Sequence, residues 1–200
     1  MNLISNLFRS YGSKSSPAKF WAWFTANSKL MFQIQTGHEA VLKELARELD
    51  SIHEHLTYEI GGAENGVREL VISADGFKSA IPAVEDLVKK APKLSDWTVT
   101  AFRQPLGELL TVEYGAARLA PDAVWFKAGR NGSMIDVNLF LDGYNAAHKS
   151  DYLACVFLTL DHLLGEYKVM TRVGAIEVGP LSANPAAAGL RPIAELKGEF

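Results

Sequence analysis

The amino-acid sequence predicts an α+β fold in which extra N-terminal helices precede two units of strand, strand, helix and strand. Segments with apolar residues at helical spacing alternate with short segments whose apolar residues recur at every second position. Matching turn signals recur in the two halves of the chain. Of the 200 residues, 48% are apolar, which is enough to bury a full core without a disulfide or a metal.

Two helices are predicted before the first strand. Ser16 is a suitable N-cap, and Pro17 suits the first position of a helix that extends to about Phe32. A second helix is predicted for residues 38–55, because apolar residues recur there at helical spacing while charged residues fill the opposite side. The first helix opens with an aromatic group made of Phe20, Trp21, Trp23 and Phe24.

The two predicted units follow the same order along the chain. The first unit, about 56–103, has strands at 56–60 and 67–74, an amphipathic helix at 77–91 and a third strand at 97–102. The second unit, about 123–178, has strands at 124–127 and 134–141, a helix at 150–164 and a third strand at 167–178.

Three landmark pairs, separated by 66, 67 and 70 residues, connect the two units. The pairs are Asn65-Gly66 with Asn131-Gly132, Asp75-Gly76 with Asp142-Gly143, and Trp97 with Tyr167. Because the pairs fall in the same order on equivalent elements, they indicate a duplication. The order of elements predicts a duplicated ferredoxin-like arrangement, either as one antiparallel sheet or as two sheets face to face, with helices on one side.

The predicted domain organisation is a single compact domain over residues 17–178. Residues 1–16 are expected to form a flexible N-terminal segment, and residues 179–200 an irregular C-terminal tail. The helix at 152–164 is apolar nearly all round, so it must be covered on two sides. The expected covers are the sheet and the aromatic helix at 20–31, contributed by the same subunit or by a second subunit in a homodimer.

Charge and cysteine content bear on the partners and on the compartment of the protein. The chain has 20 basic and 23 acidic residues, a net charge of -3, so no net cationic field attracts nucleic acid or an anionic membrane. The single cysteine, Cys155, lies in an apolar segment, which is typical of a buried thiol in a reducing compartment. We therefore expect a cytoplasmic protein. No window reaches the roughly 20 apolar residues that a membrane span requires.

Catalytic and metal-binding motifs are not found in the sequence. The Gly-x-Ser-x-Gly, Gly-x-Gly-x-x-Gly and P-loop patterns are absent, which lowers the expectation of an enzyme. His53 and His55 lie two residues apart, and on a helix such side chains point about 200° from each other, so they cannot share an ion unless the helix has already ended. The sequence thus predicts no catalytic residue, no metal and no cofactor.

The polar face of the strands is the predicted ligand site. Strand alternation places Glu59, Trp125, Lys127 and Arg172 on the face turned away from the helices, together with the aromatic residues Phe102 and Phe140. Aromatic residues on the outer face of a sheet are typical of a surface that another part of the protein or a partner covers. The cover is the other unit, a second subunit or a ligand, and a polar-filled interface between the two sheets explains the same pattern.

The resulting function hypothesis is a non-catalytic binding or regulatory module. Its site is the polar and aromatic sheet face or the cleft between the repeats, and its partner is a protein or a small polar ligand. The alternative is an enzyme that acts on a small polar substrate in an unrecognised polar cleft. A ligand-dependent rise in thermal stability accompanied by turnover distinguishes the enzyme from the binding module.

Five stretches carry a resemblance to known sequences. They are FWAWF at 20–24, LTYEIG at 56–61, ELVISADG at 69–76, the segment from Ala91-Pro92 to Trp97, and AFR at 101–103. As a set, they resemble a family of uncharacterised bacterial proteins, a domain of unknown function, over most of the chain. The resemblance implies relatives but no activity, and a looser similarity to ferredoxin-like regulators of ribonuclease E implies the fold alone.

Overall fold

The computed structural model describes residues 15–33 and 39–200. The predicted flexible segment, residues 1–16, lies outside this range except for its last two residues. Helices and sheets are both present, as an α+β fold requires. The chain forms two compact units, of which the first comprises Met1–Asp75 and Ser79–Ala101 and the second Gly76–Lys78 and Phe102–Phe200. Each unit has its own sheet and its own helices. The single domain over residues 17–178 stays a prediction.

The first unit begins with helices α1 (Pro17–Phe32) and α2 (Glu39–Asp50). The start of α1 confirms the prediction, because the Ser16 hydroxyl accepts a hydrogen bond from the Lys19 amide (3.3 Å) and Pro17 opens the helix. Helix α2 is shorter than predicted. It ends at Asp50, and in the turn that follows the His55 amide donates to Nδ1 of His53 (3.2 Å).

The sheet of the first unit contains three strands in the order β1-β2-β3. Strands β1 (Thr57–Ile60) and β2 (Arg68–Ser73) form an antiparallel hairpin. Strand β3 (Trp97–Ala101) pairs parallel to β2. Parallel neighbours need a crossover connection, which helix α3 (Ile81–Lys89) provides. The prediction of an antiparallel sheet is therefore wrong for the third strand, and the sheet is mixed.

The aromatic face of α1 is covered within its own unit. The indole N–H of Trp21 donates to the Leu87 carbonyl of α3 (2.8 Å), and the ring of Phe24 packs edge-on against that of Trp97 in β3 at 5.2 Å. Phe20, Trp21 and Phe24 are all buried. We expected the helix at 152–164 to cover these side chains, whereas α3 and β3 provide their packing, because the three-stranded sheet needs a core of its own.

The second unit is built around a four-stranded sheet in the order β8-β7-β6-β9 and a separate two-stranded hairpin, β4-β5. Its strands are β4 (Val112–Tyr114), β5 (Ala117–Leu119), β6 (Val124–Asn131), β7 (Met134–Leu141), β8 (Val173–Pro180) and β9 (Arg191–Pro192). Its helices are α4 (Lys149–Leu164) and α5 (Glu166–Arg172).

The strand pairing of the first unit recurs in the second. Strands β6 and β7 form an antiparallel hairpin, and β8 pairs parallel to β7 after the crossover helices. The third landmark pair was wrong, however. Trp97 begins β3, but Tyr167 lies in α5, and β8 begins at Val173. The cause is Gly165, whose φ of 84° ends α4 and lets a second short helix begin before the strand.

The C-terminal segment is ordered, contrary to the irregular tail predicted for residues 179–200. Strand β9 pairs with β6, and the 3₁₀ helix Ile193–Glu199 follows it. Ile193 and Leu196 are buried in the core of the second unit. A strand of two residues and a helix of two turns give no periodicity that a sequence window detects, so their packing alone reveals them.

Helix α4 is covered on two sides, as its apolar sequence required. Residues of the sheet, including Phe126 and Leu139, pack on one side. Hairpin β4-β5 contributes Val112 and Leu119 to the same core, beside Cys155 of α4. Within the described ranges, no helix is long and apolar enough to cross a membrane.

Candidate binding face of the second unit

The four-stranded sheet of the second unit has one face in the core and one face turned outward. Alternate residues of β6 and β7, such as Phe126 and Val137, are buried in the core with α4. The residues between them point the other way. We define the outward face by its polar and aromatic residues on β6, β7 and β8, namely Trp125, Lys127, Asn138, Phe140 and Glu177.

Two of the four predicted ligand-binding residues lie on one strand of this face. Trp125 and Lys127 occupy successive outward positions of β6. Glu59 is an exposed residue of β1 and belongs to the first unit. Arg172 is not in a strand, because it is the last residue of α5, where it is exposed. The prediction that Arg172 lies in a strand was wrong, because β8 begins one residue later, at Val173.

Phe102 also differs from the prediction. It follows β3 instead of lying on a sheet face, it is buried, and its backbone has a φ of 62°. A positive φ is rare for a bulky residue and costs about 1–3 kcal/mol. The ring packs against Tyr167 of α5 at 5.2 Å. Phe102 is therefore a buried residue in contact with α5 and does not lie on the sheet face where it was predicted.

A polar row crosses three strands of the outward face. Lys127 is the register partner of Asn138, and Asn138 is the register partner of Glu177. With strands about 4.8 Å apart, the backbones of Lys127 and Glu177 lie about 10 Å from each other. All three side chains are exposed, and none has a hydrogen bond or an ion pair with another described residue. The row thus offers a cation, an amide and a carboxylate to solvent.

An aromatic row lies beside the polar row. Trp125 pairs in register with Phe140, and both side chains are half-buried. On the β9 side, Pro192 is opposite Trp125. Leu190, two residues before Pro192, is buried and is not part of the core cluster around α4. Strand β9 therefore lies next to Trp125 at one end of the row.

The other end of the aromatic row is open. Phe140 is the register partner of Gly179 on β8, and a side chain added at Gly179 would have no atom within 4 Å. Half-buried aromatic rings next to open space provide a flat apolar surface that remains accessible from the β8 side. The outward face thus combines a half-buried aromatic row with an exposed polar row.

Asp136, also on the outward side of β7, has a structural role. Its Oδ1 accepts from the Ala175 amide (2.8 Å) and its Oδ2 from the Asn131 side-chain amide (2.9 Å). The pairing of β7 with β8 is irregular at this point, so the carboxylate satisfies a backbone donor beside the bulge. A side chain at Gly174 would collide with Oδ1 of Asp136. Both carboxylate oxygens of Asp136 are therefore engaged in hydrogen bonds within the sheet.

A buried ion cluster that the sequence analysis missed lies at the junction of α4 and α5. A guanidinium nitrogen of Arg103 is 3.3 Å from Asp161 and 4.0 Å from Glu166. Oε2 of Glu166 accepts from the Arg103 amide (3.0 Å), and the Glu166 amide donates to the Arg103 carbonyl (2.9 Å). These reciprocal bonds clamp the segment after Phe102 to the start of α5. The residues are distant in sequence, so no local pattern indicates them.

A concave part of the surface outside the outward face is a weaker candidate site. In the first unit, an open depression of about 280 Å³ is lined by Glu39, Leu42, Lys43, Ala46 and Tyr58. The Tyr58 hydroxyl donates to the Leu42 carbonyl (3.1 Å), and burial raises the pKa of Tyr58. In residues 15–33 and 39–200, no group of three or more His, Cys, Asp or Glu side chains lies close enough to hold a metal ion.

Comparison with known proteins adds no functional assignment. No family model matches the chain, and neither a curated protein nor a solved structure matches it. The geometry of the outward face is therefore the basis on which a function can be proposed.

Proposed function

We propose that the protein is a non-catalytic binding or regulatory module and that the outward face is its binding surface. The polar row carries this proposal, because it holds a lysine, an asparagine and a glutamate in register, all exposed and all without partners in the described part of the chain. Such groups can bond a ligand without first breaking an internal interaction.

The chemistry of the face favours a ligand that carries both donors and acceptors. Lys127 supplies a positive charge and Glu177 a negative charge about 10 Å away, and the Asn138 amide between them can donate and accept. The ring of Trp125 gives an adjacent apolar surface. A short stretch of extended peptide or a zwitterionic small molecule has this combination of groups.

The residue types on the outward face support binding and not catalysis. Its five defining residues include no histidine, cysteine or serine, so the face lacks the imidazole, thiol and hydroxyl groups that acyl-transfer enzymes use most often. An enzyme acting on a small polar substrate remains the alternative, and turnover of a bound ligand would favour it.

A duplication, the localisation and the oligomeric state of the protein are proposed as well. We infer a duplication of ferredoxin-like type, which the shared strand pairing and the first two landmark pairs support. We infer a cytoplasmic protein of bacterial origin, supported by the buried single thiol of Cys155 and by the resemblance of five sequence stretches. A homodimer is a further proposal, for which the half-buried Trp125 and Phe140 supply the apolar surface.

A binding screen by protein NMR tests the proposed function. Free amino acids and peptides of two to six residues are added to the isotope-labelled protein. We expect some of them to shift the backbone amide signals of β6, β7 and β8 around Lys127, Asn138 and Glu177. Both Lys127→Ala and Glu177→Ala should weaken that binding about fivefold or more, since each removes a charged hydrogen-bonding group. Lys168→Ala, an exposed lysine on α5, is the matched control.

The result also separates the competing functions. Binding that leaves these strands unaffected, or that persists in both variants, would contradict the proposed surface. If a bound compound is chemically changed on incubation with the protein, the enzyme alternative replaces the binding module.

A further inference from the structure

Hairpin β4-β5 is a separate structural element of the second unit. Its two strands share three residue pairs, from Val112 with Leu119 to Tyr114 with Ala117, and they pair with no other described strand. An isolated two-stranded hairpin is at most marginally stable in water. The packing of this hairpin against α4 must therefore hold it in place.

Cys155 lies directly beneath the hairpin. Its Sγ atom is 3.8 Å from the Val112 carbonyl oxygen and 3.7 Å from that of Ala117, so it contacts both strands. Tyr152 and Val156 of α4 are buried in the same cluster. The thiol itself is fully buried. Lifting the hairpin would uncover an apolar surface of α4 with Cys155 at its centre.

A polar contact fastens the tip of the hairpin. Oδ2 of Asp151, in the first turn of α4, accepts from the Ala116 amide (3.0 Å). The neighbouring Gly115 has a φ of 55°, and a side chain there would lie 2.6 Å from the same oxygen. On the outer side of the hairpin, Glu113 and Arg118 form an exposed ion pair with each other (2.9 Å). The Asp151 carboxylate is thus a latch between the tip and α4.

We propose that hairpin β4-β5 is a lid that opens as a unit while the sheet and helices of the second unit stay folded, and that it uncovers the apolar surface of α4 around Cys155. The physical reason is that its strands share no hydrogen bond with the four-stranded sheet, so lifting it breaks the α4 contacts and the Asp151 latch but leaves the main sheet intact. The proposal is independent of the outward face.

The native thiol is the probe for this lid. Cys155 is the only cysteine of the chain, so its reaction with a small soluble thiol reagent reports how often it becomes accessible. The reaction is followed in the intact protein from zero urea up to the unfolding transition, and global unfolding is measured separately. We expect labelling that is slow compared with an unfolded thiol but at least about 100-fold faster than global unfolding permits, with a weaker dependence on urea.

Variants of the latch make the test specific. Asp151→Ala should raise the labelling rate about tenfold, the effect of losing a hydrogen bond to a charged group, beyond any change that the measured global stability predicts. Gly115→Ala, which presses a methyl group against Asp151 at a positive φ, is a second variant that leaves α4 unaltered. Lys149→Ala, an exposed change in the same turn of α4, is the control and should leave the rate unchanged.

Three outcomes would overturn the lid. The first is labelling that occurs only with global unfolding and has the same dependence on urea. The second is labelling in which both latch variants change the rate no more than their global stability accounts for. The third is labelling as fast as an unfolded thiol, which would mean that no closed state exists.

Discussion

At the scale of single residues, the outward face contains side chains with two different roles. Asp136 is exposed in part and polar, yet both of its oxygens hold the backbone and side chains of neighbouring strands. Lys127, Asn138 and Glu177 lie on the same face and hold nothing in the described chain. Exposure alone does not separate the two roles, whereas hydrogen-bond partners do.

We predict that residue 174 must be glycine, because the Asp136 carboxylate lies where a side chain would be. The Gly174→Ala change places a methyl group where Oδ1 of Asp136 lies, so the carboxylate must move and release the Ala175 amide. We expect the free energy of unfolding, measured in urea, to fall by about 1–3 kcal/mol. Gly129→Ala is the matched control, because a side chain at Gly129 meets nothing within 4 Å.

The cause of this loss can be checked with a second substitution. In an Asp136→Ala background the collision is gone, so adding Gly174→Ala should cost clearly less than it does in the natural chain. Equal costs in the two backgrounds would show that the collision is not what excludes a side chain at position 174.

At the scale of elements, each amphipathic or apolar helix is paired with a particular cover. Helix α1 packs against α3 and β3, and α4 lies between the sheet and the β4-β5 hairpin. The sequence shows that both helices need a cover. It does not identify the cover, because apolar surfaces attract each other without direction and shape complementarity selects among them.

The packing of α1 predicts that replacing its two tryptophans by alanine lowers the stability by different amounts. Trp21 is buried and donates to the Leu87 carbonyl, whereas Trp23 is half-buried. We expect Trp21→Ala to lower the free energy of unfolding by about 3–5 kcal/mol, and Trp23→Ala to lower it by clearly less. Urea unfolding followed by circular dichroism measures both variants, and Ala22→Ser at an exposed position between them is the control.

Trp21→Phe refines the comparison, since it keeps an aromatic ring but leaves the Leu87 carbonyl without its donor. We expect Trp21→Phe to lower the free energy of unfolding by about 1–3 kcal/mol. If Trp21→Ala lowers the stability by no more than about 1 kcal/mol, α1 is not part of the core of the first unit.

At the scale of the whole molecule, stability should depend on pH through the buried thiol. Burial raises the pKa of Cys155, and the nearby carboxylates Asp151 and Glu113 act in the same direction. The folded state therefore retains its proton at a pH where the unfolded chain has lost it. Because the unfolded state then binds fewer protons, the free energy of unfolding decreases as the pH rises above the ordinary thiol value of 9.0.

The measurement is urea unfolding at several pH values between about 7 and 10. We expect the natural chain to lose stability over the upper part of this range. Cys155→Ala should show less of this loss, although its stability at neutral pH is lower because the substitution leaves a small cavity. Identical pH dependences in the two proteins would show that the thiol ionises in the folded state as readily as in the unfolded state.

Local signals in the sequence determined the elements that depend on near neighbours. The N-cap of α1, its opening proline and the glycine turns after Asn65 and Asp75 were all predicted, and the two turns have positive φ values at both residues. These features follow from interactions within a few residues, so the chain specifies them before it folds. The α+β class follows from the periodicities in the same way.

The tertiary structure alone decided the features that depend on distant partners. Strand β9, the Arg103–Glu166 clamp and the packing of hairpin β4-β5 on α4 each depend on residues far apart in sequence, so no window contains their signal. The residues of the candidate site were likewise placed in part by local sequence and in part by the tertiary structure. Alternation along β6 was enough to place Trp125 beside Lys127, but only the register of β7 and β8 placed Asn138 and Glu177 next to them, because strand pairing is set by long-range packing.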